Sequence, residues 1–147
     1  YQCGFCRRAH PEVRELLARD GGLRLILKEL PILGPASEHA ARVAHAVHLT
    51  AGPEAYAALN DRLMRLEGPA SEAAVALALE ALGIDGAAVA AAMTDAEVDR
   101  RIGETRALAA ALGIEGTPSF VFGDRLLRGY APLAAMESLV AEAREGG

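Results

Sequence analysis

Apolar side chains recur at three- and four-residue intervals at Phe5, Ala9, Val13, Leu16 and Leu17. That period predicts an amphipathic helix over residues 4–19, ended by Gly21-Gly22. Leu23 to Leu33 is instead an apolar run that holds Arg24, Lys28 and Glu29 and is bounded by Gly22 and Gly34-Pro35. A run of that length between breakers predicts a largely buried strand. From Ala36 to Leu112 the stripes are helical again, as in Ala40, Val43, Ala44, Val47 and in Tyr56, Leu59, Leu63, Leu66. Gly52-Pro53, Gly68-Pro69, Gly83 and Gly113 divide this stretch into four or five short helices. The last of them opens on Thr94-Asp95-Ala96-Glu97, the pattern of a capping box with Thr94 as the cap. Beyond Gly116-Thr117-Pro118, Ser119-Phe120-Val121-Phe122 and Arg125-Leu126-Leu127-Arg128 flank Gly123-Asp124, which predicts a hairpin with a two-residue loop. Pro132, as a first helical residue, then starts a closing helix with Met136, Leu139, Val140 and Ala143 on one face.

Composition narrows what such a chain can do. With 147 residues, 52% of them hydrophobic, it can bury the core of one domain but not of two. The net charge of -5 and the lack of a long basic run make nucleic acid and anionic membrane poor partners. No stretch of about 18 apolar residues is free of breaks, so no membrane insertion is expected. The sequence opens at Tyr1 without an initiator Met or a signal-like apolar region, so an export signal would lie upstream. Two cysteines are too few for a disulfide scaffold, and they lie three apart, as Cys3-Gly4-Phe5-Cys6.

The cysteine pair is where chemistry is expected. The first turn of a helix offers unpaired N–H groups and the positive end of the dipole, both of which favour a thiolate. Cys3 stands at that end. At about 100° per residue, Cys6 falls between Val13 and Leu17 on the apolar flank, whereas Cys3 and Arg7 share the edge expected to face water. Cys3 is therefore the candidate attacking thiol and Cys6 the shielded resolving thiol. Arg7 and Arg8 add positive charge, and the two-residue spacer lets the sulfurs close a disulfide.

A metal is the competing use of such a pair. His10 completes a Cys3-x2-Cys6-x3-His10 spacing, but no fourth ligand follows from the pattern. His39, His45 and His48 lie on another helix and point to different sides. Arg7 after Cys6 excludes haem attachment, which requires a histidine there. Lys28 reads either as an edge residue reaching solvent or as a buried group relaying protons to Cys6. Pro11, inside the first helix, reads as a kink rather than a late start, because the apolar stripe runs through it.

A CxxC opening a helix, Pro11 five residues after the second cysteine, and Gly116-Thr117-Pro118 leading into a hairpin and a terminal helix together resemble the thioredoxin fold. The intervening helical block makes the whole chain similar to the DsbA family of thiol–disulfide oxidoreductases. That resemblance implies an α/β, thioredoxin-like fold with an inserted all-helical subdomain in a single domain over 1–147. Residues 1–35 and 114–147 would form the thioredoxin-like part and 36–113 the insertion. The fold's first strand, which would pair beside Leu23–Leu33, is absent from the sequence given.

The resemblance also implies roles. Cys3 attacks, Cys6 resolves, and a cis Thr117-Pro118 peptide lies against them, offering the Thr117 backbone to an extended substrate and keeping metals off. Gly4-Phe5 replaces the Pro-His of strongly oxidising relatives, so Gly4, Phe5 and Arg7 are the residues expected to tune the thiol. The implied activity is thiol–disulfide exchange with cysteines of protein substrates, in the periplasm or otherwise exported, with a redox partner protein and no metal or organic cofactor. A DsbA-fold isomerase or glutathione-conjugate enzyme is the alternative, as is a non-catalytic module with a zinc-bound or structural CxxC.

Overall fold

The computed structural model describes residues 1–146. Six helices and one hairpin follow in the order α1 (Gly4–Arg19), α2 (Pro35–Met64), α3 (Glu72–Ala81), α4 (Gly86–Ala92), α5 (Ala96–Ala111), β1 (Ser119–Phe122), β2 (Arg125–Arg128) and α6 (Leu133–Glu145). The chain divides into two compact units, one of Tyr1–Gln2 with Glu29–Leu112, the other of Cys3–Lys28 with the chain from Gly113 onward.

The first unit is all helical and is built around α2. Pro35 sits in its first turn, where a missing N–H costs nothing. Gly52 interrupts it with φ 87 and ψ 178, a left-handed backbone that a glycine adopts without steric cost, so the Gly52-Pro53 break is a kink between two helical pieces. Its buried face is largely small, with Ala40, Val43, Ala46 and Val47, and this lets the helices approach closely around Leu59, Leu63, Val75, Leu79 and Val89. Helix α5 adds Val98 and Ile102 against Ala41, and its charged face is tied to α2 by Arg42–Asp99 at 2.6 Å and Arg106–Glu38 at 2.5 Å.

The second unit packs α1, the hairpin and α6 around Leu16, Ala131, Met136 and Val140, with Val13, Leu23, Phe120, Phe122 and Leu127 against them. The strands pair antiparallel, Ser119 opposite Arg128 and Phe122 opposite Arg125, around the two-residue Gly123-Asp124 turn. Helix α1 runs through Pro11 without a break, and Arg144 of α6 grips Asp20 at its C-terminal end, at 2.7 and 2.9 Å.

Three expectations are corrected. Leu23–Leu33 forms no strand. A strand exists only through its ladder, and among the described residues the one ladder is β1–β2, so this segment lacks a partner and leaves Ile26 60% exposed. The cap of α5 is Asp95 rather than Thr94. The Asp95 carboxylate accepts the Glu97 N–H at 2.7 Å, while the Glu97 carboxylate is taken by Arg100 and Arg101, which breaks the reciprocal box. Pro132 caps α6 and does not enter its first turn.

Candidate functional site

Helix α1 begins immediately after Cys3, and Cys3 is its N-cap, with an extended backbone at φ -82 and ψ 115. An N-cap side chain accepts one of the N–H groups that the first turn leaves without an intrahelical partner. Here the acceptor is sulfur: the Cys6 N–H donates to Cys3 Sγ at 3.3 Å. No acidic residue occupies the first turn to oppose a negative charge there.

On its other side Cys3 meets the loop before the hairpin. The thiol donates to the Thr117 carbonyl at 3.2 Å, and the Thr117-Pro118 peptide is cis. The Pro118 carbonyl accepts the Gly129 N–H at 2.8 Å, which fastens this loop to the end of the hairpin. Both sulfurs are free thiols.

Exposure differs from the helix-phase expectation. Cys3 is only 9% exposed and Cys6 is half-buried. The phase argument places residues around a helix axis, but Cys3 lies outside the helix and Thr117 covers it. The acidities nevertheless follow the expected order. Burial pulls the Cys3 thiol up, and hydrogen bonding to the Thr117 side chain, to Cys6 and to the Phe5 N–H outweighs it, leaving Cys3 below the ordinary thiol range. Burial pushes Cys6 up to about 12, with the Thr117 side chain opposing and the neighbouring Cys3 adding to the rise. One sulfur is thus prepared to be a thiolate at lower pH than its neighbour.

The dipeptide between the cysteines lies at the surface. Gly4 is exposed, a Cβ there would meet nothing within 4 Å, and the Phe5 ring is 63% exposed. Arg7 is half-buried one turn on. Arg8 is exposed, its guanidinium carbon 4.5 Å from the centre of the Tyr130 ring. Tyr130 is held from below by Glu12, which accepts its hydroxyl at 3.1 Å and the Leu133 N–H, at the start of α6, also at 3.1 Å.

The helical unit contains a second polar cluster that the sequence did not announce. The Glu29 carboxylate accepts the Tyr1 hydroxyl at 2.6 Å and the Tyr56 hydroxyl at 2.8 Å, and Asn60 donates to the Tyr1 hydroxyl at 3.2 Å. Burial raises Glu29 above the usual carboxylate range, with the two tyrosine hydroxyls working against it. Its neighbour Lys28 is exposed, in keeping with a residue reaching solvent and not with a buried relay to Cys6. The signal for Glu29 was an acid in an apolar run, and its two aromatic partners lie 28 and 27 residues away. Of the distal histidines, His48 joins this cluster, edge to face with Tyr56 at 5.6 Å and 3.0 Å from Arg101. His39 lies 4.0 Å from Glu72. Among the described residues no group of three His, Cys, Asp or Glu side chains could hold a metal ion.

The family model of the DSBA-like thioredoxin domain matches residues 1–141. Among solved structures, the chain is similar to a thioredoxin-like oxidoreductase from Silicibacter pomeroyi DSS-3. Identity is 37%, the TM-score is 0.94, and the match covers 99% of this chain and 82% of that one. The thiol-disulfide exchange protein alpha-DsbA2 from Wolbachia pipientis is 29% identical with a TM-score of 0.88, over 97% of this chain and 76% of that one. A periplasmic thioredoxin-like protein from Salmonella enterica serovar Typhimurium is 26% identical with a TM-score of 0.87, over 97% and 79%. No curated protein sequence matches this one.

Proposed function

The chain belongs to the DSBA-like thioredoxin domain family, and on that premise we propose that it is a protein thiol:disulfide oxidoreductase working through Cys3 and Cys6. The observation that carries this reading is the pairing of a thiol held at a helix N-cap, with lowered pKa, and a second thiol three residues on whose pKa is pushed up to about 12.

The chemistry balances without another group. The Cys3 thiolate attacks one sulfur of a substrate disulfide, an S–S bond forms between them, and the substrate's other sulfur leaves as a thiolate. Cys6, losing its proton, then attacks Cys3, which closes the Cys3–Cys6 disulfide and releases the second substrate thiolate. Two electrons have passed from the cysteine pair to the substrate, and the reverse sequence oxidises a dithiol. No metal or organic cofactor enters that balance. Direction follows the reduction potential, for which about 30 mV corresponds to 1.4 kcal/mol in this two-electron couple.

The Thr117 backbone, fixed against Cys3, is the edge along which an extended substrate would pair, and Pro118 offers no N–H to compete. Gly4 and Phe5 set how openly the sulfurs are approached, and Arg7 adds positive charge one turn after Cys3. Substrates are cysteine-containing proteins, and a separate redox protein returns the pair to its working state. The similarity to a periplasmic protein supports a periplasmic or otherwise exported location; among the described residues no helix is long and apolar enough to cross a membrane.

Equilibration in glutathione buffers tests the reading. A reversible two-electron interconversion between two thiols and one Cys3–Cys6 disulfide, with no zinc in the purified protein, is expected. Thiols that never pair, or one tightly bound zinc that withdraws them from exchange, would overturn it in favour of a non-catalytic module.

A further inference from the structure

Resting on that exchange reading, we propose that Arg8, laid on the face of Tyr130, is a carboxylate-binding subsite beside Cys3. The protein then exchanges preferentially with cysteines that have Asp or Glu a few residues away.

The argument starts from a missing ion pair. Glu12 stands four residues after Arg8 on α1, the spacing at which helical side chains of opposite charge normally meet. Its carboxylate is instead committed to the Tyr130 hydroxyl and the Leu133 N–H, both at 3.1 Å. Arg8 is left exposed with the aromatic ring as its contact and no carboxylate partner among the described residues. Other arginines of the same unit are spent: Arg19 on Glu15 and Glu137, Arg144 on Asp20. A guanidinium held flat on a ring is pre-oriented, and its N–H fork remains for a carboxylate, which it matches in two-point geometry.

Its location is fixed by the active loop. Tyr130 follows Gly129, whose N–H is bonded to the Pro118 carbonyl, and the preceding Thr117 carbonyl meets Cys3. A peptide running along Thr117 therefore passes Tyr130 and Arg8 within a few residues of its own cysteine. The electrostatics sharpen the expectation. An acid beside a substrate disulfide would ordinarily repel an attacking thiolate, and Arg8 reverses that sign locally.

The test measures second-order rate constants for exchange with disulfide-bearing peptides that differ only in Glu, Gln or Lys two residues from the cysteine. The Glu:Lys rate ratio of each variant is divided by that of the wild type, so that intrinsic peptide reactivity and changes in Cys3 cancel. Arg8→Ala is expected to lower the ratio about three- to fivefold at low salt, as for an exposed charge pair, and Arg8→Glu by more, both effects shrinking as salt rises. Arg24→Glu makes the same charge change five residues past the far end of α1 and is expected to leave the ratio unchanged. A ratio unaffected by Arg8→Glu, or lowered equally by Arg24→Glu, would overturn the subsite while leaving the exchange reading intact. Failure of the wild type to exchange with any of the peptides would overturn the exchange reading itself.

Discussion

The sulfur of Cys3 and the carbonyl oxygen of Thr117 stand 3.2 Å apart although 114 residues separate them in the chain. That contact joins a helix-capping cysteine to the loop on which, in the proposed function, a substrate backbone is laid.

Thr117 also supplies a side chain that lowers the Cys3 pKa. Thr117→Val keeps the shape and the carbonyl but removes the hydroxyl. The Cys3 pKa should rise toward the ordinary thiol value, and alkylation at neutral pH should slow in parallel. Thiolate absorbance against pH checks it, and an unchanged titration would mean that the helix terminus alone sets the acidity.

Glu29 makes a prediction about stability. Its carboxyl is raised by burial, so its contribution is fully present below the unfolded value of about 4.3 and is lost as pH rises through the folded value. The unfolding free energy of the wild type, minus that of Glu29→Gln, should therefore fall with pH above about 4.3, with a slope of at most about 1.36 kcal/mol per pH unit for one proton. Urea denaturation across pH 4 to 8 measures this difference. A flat or rising difference would show that the two tyrosine hydroxyls, not burial, govern the group.

Met136 is fully buried in the core that α6 shares with α1 and the hairpin. Met136→Ala should cost about 2–5 kcal/mol, read from denaturant unfolding. The Cys3 pKa, set by contacts in the first turn of α1 and at Thr117, should stay where it is in the folded fraction.

Local signals made much of the fold legible. The Gly-Asp turn, the apolar stripes and the glycine breaks each act over a few residues, and α1, the kink at Gly52, the hairpin and α6 stand close to where the periodicity put them. The CxxC, read with Gly116-Thr117-Pro118, pointed to the family for the same reason. What failed was decided at a distance. Leu23–Leu33 has the composition of a strand, but a strand is a property of two segments. Cys3 seemed exposed because helix phase says nothing of a loop 114 residues away that covers it. Nothing in the sequence near Glu12 points to its partners, Tyr130 before α6 and the Leu133 N–H at the start of α6, which lie more than a hundred residues away. The α5 cap was a local exception: Asp95 rather than Thr94 accepts the Glu97 N–H, while Arg100 and Arg101 hold the Glu97 carboxylate.

The central claim, that Cys3 attacks and Cys6 resolves, is tested most directly by trapping. Cys6→Ser and Cys3→Ser are each incubated with a disulfide-bonded protein substrate, quenched with acid, and mapped by mass spectrometry of the linked peptides. The account predicts that Cys6→Ser accumulates a mixed disulfide through Cys3, whereas Cys3→Ser, left with a thiol that burial holds above the ordinary range, forms essentially none at neutral pH. Substrate linked through Cys6 in the Cys3→Ser protein, at a rate comparable to that of Cys3, would contradict it.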